Sequence, residues 1–203
     1  MVQDAIDLAR GSISPLSNER FRIGSFALRE PDYRQVIRWA KGLKRSPEEV
    51  LDTLSSLRCK RIVNIFGSQY EACSWRSFAR GDELHLEFGF RIEDGSIIDM
   101  VWDGEALPLE SFQWEPGLTI RKLALVNRMP KWPATEVLRS LLFLSVENVK
   151  AVELDLSPVP ELELLDCSRN ELSEINLSPV PKLRQLDCSS NQLIVLDLTL
   201  VAG

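Results

Sequence analysis

The hydrophobic pattern changes period along the chain, and each change marks a different kind of element. Residues 2–10 place Val2, Ala5, Ile6 and Ala9 on one helical face, with Gly11 as a stop. Gly11 to Arg20 reads as a loop and Phe21–Leu28 as a strand. Tyr33, Val36, Ile37, Ala40 and Leu43 recur at helical spacing and predict a helix over Pro31–Lys44. Its proline sits in the first turn, where a missing N–H costs nothing. A second helix is predicted from Ser46. Ser46 and Glu49 have capping-box spacing, Pro47 takes the first helical position, and Val50, Leu51, Leu54 and Leu57 supply the apolar face.

From Cys59 the period becomes two. Arg61–Phe66 predicts a strand, and Leu84–Ile92 alternates apolar and other residues as an antiparallel strand with one wet face does. Asp94-Gly95 is a hairpin signal with Ile97–Trp102 as the return strand. Asp103-Gly104 is a second turn signal, leading to Leu107–Trp114. The prediction is an antiparallel meander over 59–115, with the helices on its apolar face and Pro116-Gly117 as the boundary.

The rest of the chain repeats itself. Leu162, Leu165, Cys167, Asn170 and Leu172 recur 21 residues later as Leu183, Leu186, Cys188, Asn191 and Leu193. Ser157-Pro-Val-Pro160 recurs as Ser178-Pro-Val-Pro181. Stepping back at the same interval gives strand starts at 120, 141, 162 and 183. The first two units depart from the pattern, with Arg128 and Val149 at the Asn position. The signature L-x-x-L-x-L/C-x-x-N-x-L is that of a leucine-rich repeat. Its leucines should point into a solenoid, and equivalent strands should stack about 4.8 Å apart as a parallel sheet. Asn170 and Asn191 should form a ladder that satisfies backbone groups of neighbouring turns. Two prolines per unit should hold the far side extended.

These units resemble bacterial leucine-rich-repeat proteins of the short-unit, internalin-like class, in its cysteine-bearing form, over residues 120–203. The resemblance implies a solenoid whose concave sheet binds other proteins. The expected fold is therefore α+β: N-terminal helices packed on an antiparallel sheet over 1–119, which also caps a short leucine-rich-repeat domain of about four units over 120–203.

Composition narrows the function. A net charge of −6 and a pI near 5.0 supply no footprint for nucleic acid or an anionic membrane. No apolar run is long enough to span a bilayer, and the N-terminus carries no signal-peptide pattern. The four cysteines read as reduced thiols of a cytoplasmic protein, with Cys167 and Cys188 inward in the repeats. The alternative for Cys59 and Cys73 is a disulfide. His85, the single histidine, reads as a solvated strand residue rather than a catalytic base or the partner of Cys59 or Cys73. Lys41, Lys44 and Arg45 complement a helix dipole. The five tryptophans read as core, with Trp75 the one to check for exposure. No phosphate-binding loop, nucleophile elbow, metal spacing or cofactor motif is present in the sequence.

The outward strand positions fall into three columns. They are Lys122, Phe143, Leu164 and Gln185, then Ala124, Ser145, Asp166 and Asp187, then Val126, Glu147, Ser168 and Ser189. Phe143 beside Leu164 is an apolar anchor, and Glu147, Asp166 and Asp187 form an acidic flank with Gln185 at its end. These six residues are the candidate partner site. The opposing reading is that the N-terminal domain covers Phe143 and Leu164. The expected function is non-catalytic protein binding of adaptor, regulator, immunity or effector type. The alternative is an enzyme with its site in 1–119 and repeats that target it. The last repeat leaves an open edge. Either Leu198, Leu200 and Val201 fold back as a lid, or two copies meet in a homodimer through the C-terminal repeat edge, or the chain is cut from a longer array.

Overall fold

The computed structural model describes residues 19–64, 77–80, 83–131 and 138–199, with 59–64, 77–80 and 83–88 described by their backbone. The helix expected over 2–10 and the inward or exposed placement of Cys59, Cys73, Trp75 and His85 lie outside the described residues and side chains.

Phe21–Leu28 is a hairpin rather than one strand. β1 (Phe21–Ile23) and β2 (Phe26–Leu28) pair antiparallel around Gly24, whose φ of +55° is costly for any side chain. The first helix, α1 (Glu30–Leu43), starts one residue before Pro31. Its buried face carries Asp32, Gln35, Val36, Trp39 and Ala40, and the expected Ile37 is exposed. The face turns this way because its polar members have partners. Gln35 Nε2 donates to Gln113 O at 3.0 Å, and its Oε1 accepts from Glu115 N at 2.7 Å. Trp39 packs on Trp102, which meets Phe112 and so Trp114, with ring centroids 4.6–5.2 Å apart along that chain. These three tryptophans are core, as expected. In α2 (Pro47–Ser56) both halves of the Ser46–Glu49 capping box are made, at 2.8 and 3.2 Å. Val50, Leu51 and Leu54 are buried.

Asp32 is fully buried near the start of α1, where it accepts from Ile97 N at 2.8 Å and faces Arg29 at 3.6 Å. Burial raises its pKa against these favourable contacts. A carboxyl with a raised folded-state pKa binds its proton more tightly folded than unfolded. Its contribution to stability is therefore lost as pH rises from the unfolded pKa through the folded one. Asp32→Asn keeps an acceptor for Ile97 and removes the titration. Urea titrations across the mildly acid range should show wild type losing more stability with rising pH than the variant. Parallel profiles would contradict this reading of Asp32.

The region expected to form one meander divides between two sheets. β3 (Arg58–Asn64), β4 (Ser77–Arg80) and β5 (Glu83–Gly89) form an antiparallel sheet in the order β3-β5-β4. The alternating run then breaks at Phe90. Its last part, β6 (Arg91–Glu93), pairs antiparallel with β7 (Ser96–Asp103) through the expected Asp94-Gly95 turn, where both residues have positive φ. The other edge of β7 is taken by β8 (Lys122–Val126), in parallel. No edge of β7 is left for Leu107–Trp114, and Pro108 lacks an N–H for a ladder. That stretch is instead a loop that buries Leu107, Phe112 and Trp114 and touches the chain again at the Ser111–Lys131 bridge.

β8, β9 (Phe143–Ser145), β10 (Leu164–Asp166) and β11 (Gln185–Asp187) follow in parallel, each in register with the residue 21 positions away. The fold is α+β, with a mostly parallel sheet forming a solenoid of about four turns. The sheet runs β6-β7-β8-β9-β10-β11 and so reaches back past residue 119, into the stretch expected to cap the repeats.

Inside the solenoid Leu123, Leu144, Leu165, Cys167, Leu172 and Leu183 are buried, as the repeat requires. Leu186, Cys188 and Leu193, their counterparts in the last turn, are only half-buried. The far side is not extended. Val159 donates to Leu156 O and Leu162 to Val159 O, and the same pair of tight turns recurs at Leu177, Val180 and Leu183. The prolines fit these turns rather than a straight segment.

Among the described side chains Cys167 and Cys188 are free, with burial pushing both thiols up and Cys188 less enclosed than Cys167. Because only the thiolate reacts and access limits it, a thiol reagent should modify Cys188 in the folded single chain, at high dilution, at least about tenfold faster than Cys167. Equal rates, followed by mass spectrometry, would contradict the stacking order.

Candidate functional site

The outward face of the solenoid sheet is set by strand alternation: with Leu144, Leu165 and Leu186 inward, the residues on either side face out. The registers place Asp99, Lys122, Phe143, Leu164 and Gln185 in one row across β7 to β11. The next row is Val101, Ala124, Ser145, Asp166 and Asp187. The first two expected columns are thus correct in register, and each gains a member from β7.

Accessibility differs from what the columns suggest. Phe143 is 0% exposed, Leu164 6% and Asp166 4%, and Ala124, Ser145 and Asp99 are buried with them. The chain itself covers this face from β7 to β10, and β5 lies against β7. The face opens at its C-terminal end and, in its third column, at Glu147 and Ser189, while Ser168 is buried. Gln185, Asp187 and Glu147 are partly exposed and Ser189 is exposed. Of the six candidate residues, Glu147, Gln185 and Asp187 are therefore reachable from solvent, and Phe143, Leu164 and Asp166 are not.

Two of the acidic residues also have work within the fold. Asp166 Oδ1 accepts from Ser168 N at 3.1 Å and Ser168 Oγ at 2.8 Å, and Ser145 Oγ lies 3.4 Å from its Oδ2. Asp187 Oδ1 accepts from Ser189 N at 3.0 Å. Both hooks hold the chain where it leaves the strand. A second set recurs on the far side, where Asp155, Asn176 and Asp197 accept from Ser157, Ser178 and Thr199. Sequence reasoning missed both sets, although an Asp or Asn two residues before a Ser or Thr, repeated every 21 residues, carries the signal. It also missed the left-handed residue of each turn, at Asn127, Asn148, Arg169 and Ser190.

The Asn ladder is present. Asn170 Nδ2 donates to Val146, Cys167 and Ser168 carbonyls at 2.7–3.1 Å, while its Oδ1 accepts from Val149 and Ala151 amides at 3.0–3.1 Å. Asn191 repeats this one turn on, donating to Cys167 and Cys188 carbonyls and accepting from Leu172 N.

At the other end of the face, Arg91 Nε meets Asp99 Oδ2 at 2.7 Å beside Lys122. Burial lowers the Lys122 pKa, with Asp99 acting against that and Arg91 with it. On the flank of the solenoid a groove of about 1020 Å³ runs past Met129, Lys131, Val152, Glu153 and Glu174, which the sequence did not announce. Among the described residues, no group of His, Cys, Asp and Glu is arranged to hold a metal ion, and no described helix is long and apolar enough to cross a membrane.

The fold and face together define a β-solenoid repeat protein. Comparison with protein-family models, with curated proteins and with solved structures gave no match.

Proposed function

We propose that this chain is a leucine-rich-repeat protein of bacterial, cytoplasmic type that binds a protein partner without catalysis, as an adaptor, regulator, immunity factor or effector. The observation that carries the reading is the sheet held in register by the Asn ladder, with an outward edge left reachable at the acidic Glu147 and Asp187 and at Gln185. Phe143, Leu164 and Asp166 lie in the same rows under the chain's own cover, and serve this surface as the packed support beside it. Arg169 pairs with Glu147 at 3.5 Å, and Asp187 leaves the open end with a net negative charge, so the partner presents basic groups, and the encounter weakens with salt.

The reading is tested by the double change Glu147→Lys with Gln185→Lys. Affinity for a captured partner should fall at least about tenfold, roughly 1.4 kcal/mol or more. The melting temperature should move little, since surface changes usually stay within about 0.5 kcal/mol. Undiminished binding would move the interface to another face, with the flank groove as the next place to look.

A further inference from the structure

We propose that two copies of this chain pair edge to edge through β11, antiparallel and centred on Leu186. Among the described residues β11 is bonded on one side only, to β10. On that side Gln185 N donates to Glu163 O and Asp187 O accepts from Cys167 N. Alternate residues of a strand turn their backbone groups to opposite edges, so Leu186 directs both N–H and C=O to the free edge. The 21-residue equivalence identifies the rest. Glu163 O and Cys167 N bond the next turn, so Arg184 O and Cys188 N occupy the same places on the open edge.

This set is its own complement. It has an acceptor two residues before Leu186, a donor two residues after it, and one of each at Leu186. A two-fold axis through Leu186 brings each Cys188 N–H to the other copy's Arg184 carbonyl and makes Leu186 exchange a pair of bonds with its equivalent. These four groups of each copy are then satisfied in a self-complementary, isologous pairing. The side chains agree with this register. Gln185 falls opposite Asp187 of the second copy, and the two Asp187 carboxylates lie diagonally rather than face to face. Asp187 Oδ1 is held by Ser189, so its Oδ2 is the oxygen that accepts from the Gln185 amide Nε2 of the second copy. The same axis brings together the last turn's apolar surface, where Ile194 is 91% exposed and Val195 73%, with Leu196 and Leu198 beside them. An open strand edge next to such a surface is a template for pairing.

Sedimentation across a concentration series, with amide exchange read at single residues, tests the proposal. The mass should rise from 23.0 kDa toward twice that value, and exchange at Leu186 and Cys188 should slow in step. Ile194→Asp with Val195→Asp alters positions too exposed to disturb the fold. It should weaken association at least about tenfold, the order of a change in Kd of 1.4 kcal/mol. A wild-type monomer at high micromolar concentration would overturn the proposal. So would a dimer whose Leu186 and Cys188 amides exchange at the monomer's rate, or one indifferent to the two aspartates.

Discussion

Asn170→Ala should destabilise the protein by about 3–5 kcal/mol, and Asn191→Ala by about 1–2 kcal/mol, since an orphaned buried polar group costs about 1–3 kcal/mol. The two residues occupy the same place in consecutive turns. Removing Asn170 strands the Val149 and Ala151 amides and the Val146 carbonyl, all bonded by a side chain that is 6% exposed. Removing Asn191 strands Leu172 N and a Cys167 carbonyl bond at a half-buried position that water reaches. Urea unfolding of both variants checks this. Equal losses would mean that the ladder is not what holds the turns.

Leu165→Ala should cost about 2–5 kcal/mol, the range for a buried leucine whose cavity relaxes only in part. Leu165 is fully buried between the turns of Leu144 and Leu186. Leu186→Ala should cost less, because that side chain is half-exposed and leaves no closed cavity. The comparison reads the stacking order from thermodynamics alone. A Leu186 loss matching that of Leu165 would show that the last turn is covered in the isolated chain.

The repeat was legible because its period is a physical constraint. Each turn must bring an equivalent residue to the same place in the sheet, so Leu144, Leu165 and Leu186 could be aligned by counting. The capping box at Ser46 and the Asp94-Gly95 turn were legible because each is a local bonding pattern. What escaped depended on neighbours distant in sequence. The loss of the meander followed from β8 taking the second edge of β7, and no property of Leu107–Trp114 alone reveals that. Ile37 gave way to Trp39 because an aromatic cluster from residues 102–114 waits on that side of α1. At the candidate site, strand alternation set which way Phe143 and Leu164 point, and it carries no information about what lies over them. Asp166 and Asp187 drew notice as charges. Their hooks to Ser168 and Ser189 were readable in the same letters.

Carboxylate footprinting of the protein with a captured partner tests the proposed role most directly. Free protein is labelled at exposed carboxylates, then labelled again with the partner bound, and the change is quantified for each residue. Binding through the open end of the outward face predicts that Glu147 and Asp187 lose reactivity, while Glu153 and Glu174 of the flank groove keep theirs. Protection of Glu153 and Glu174 with Glu147 and Asp187 unchanged would contradict it.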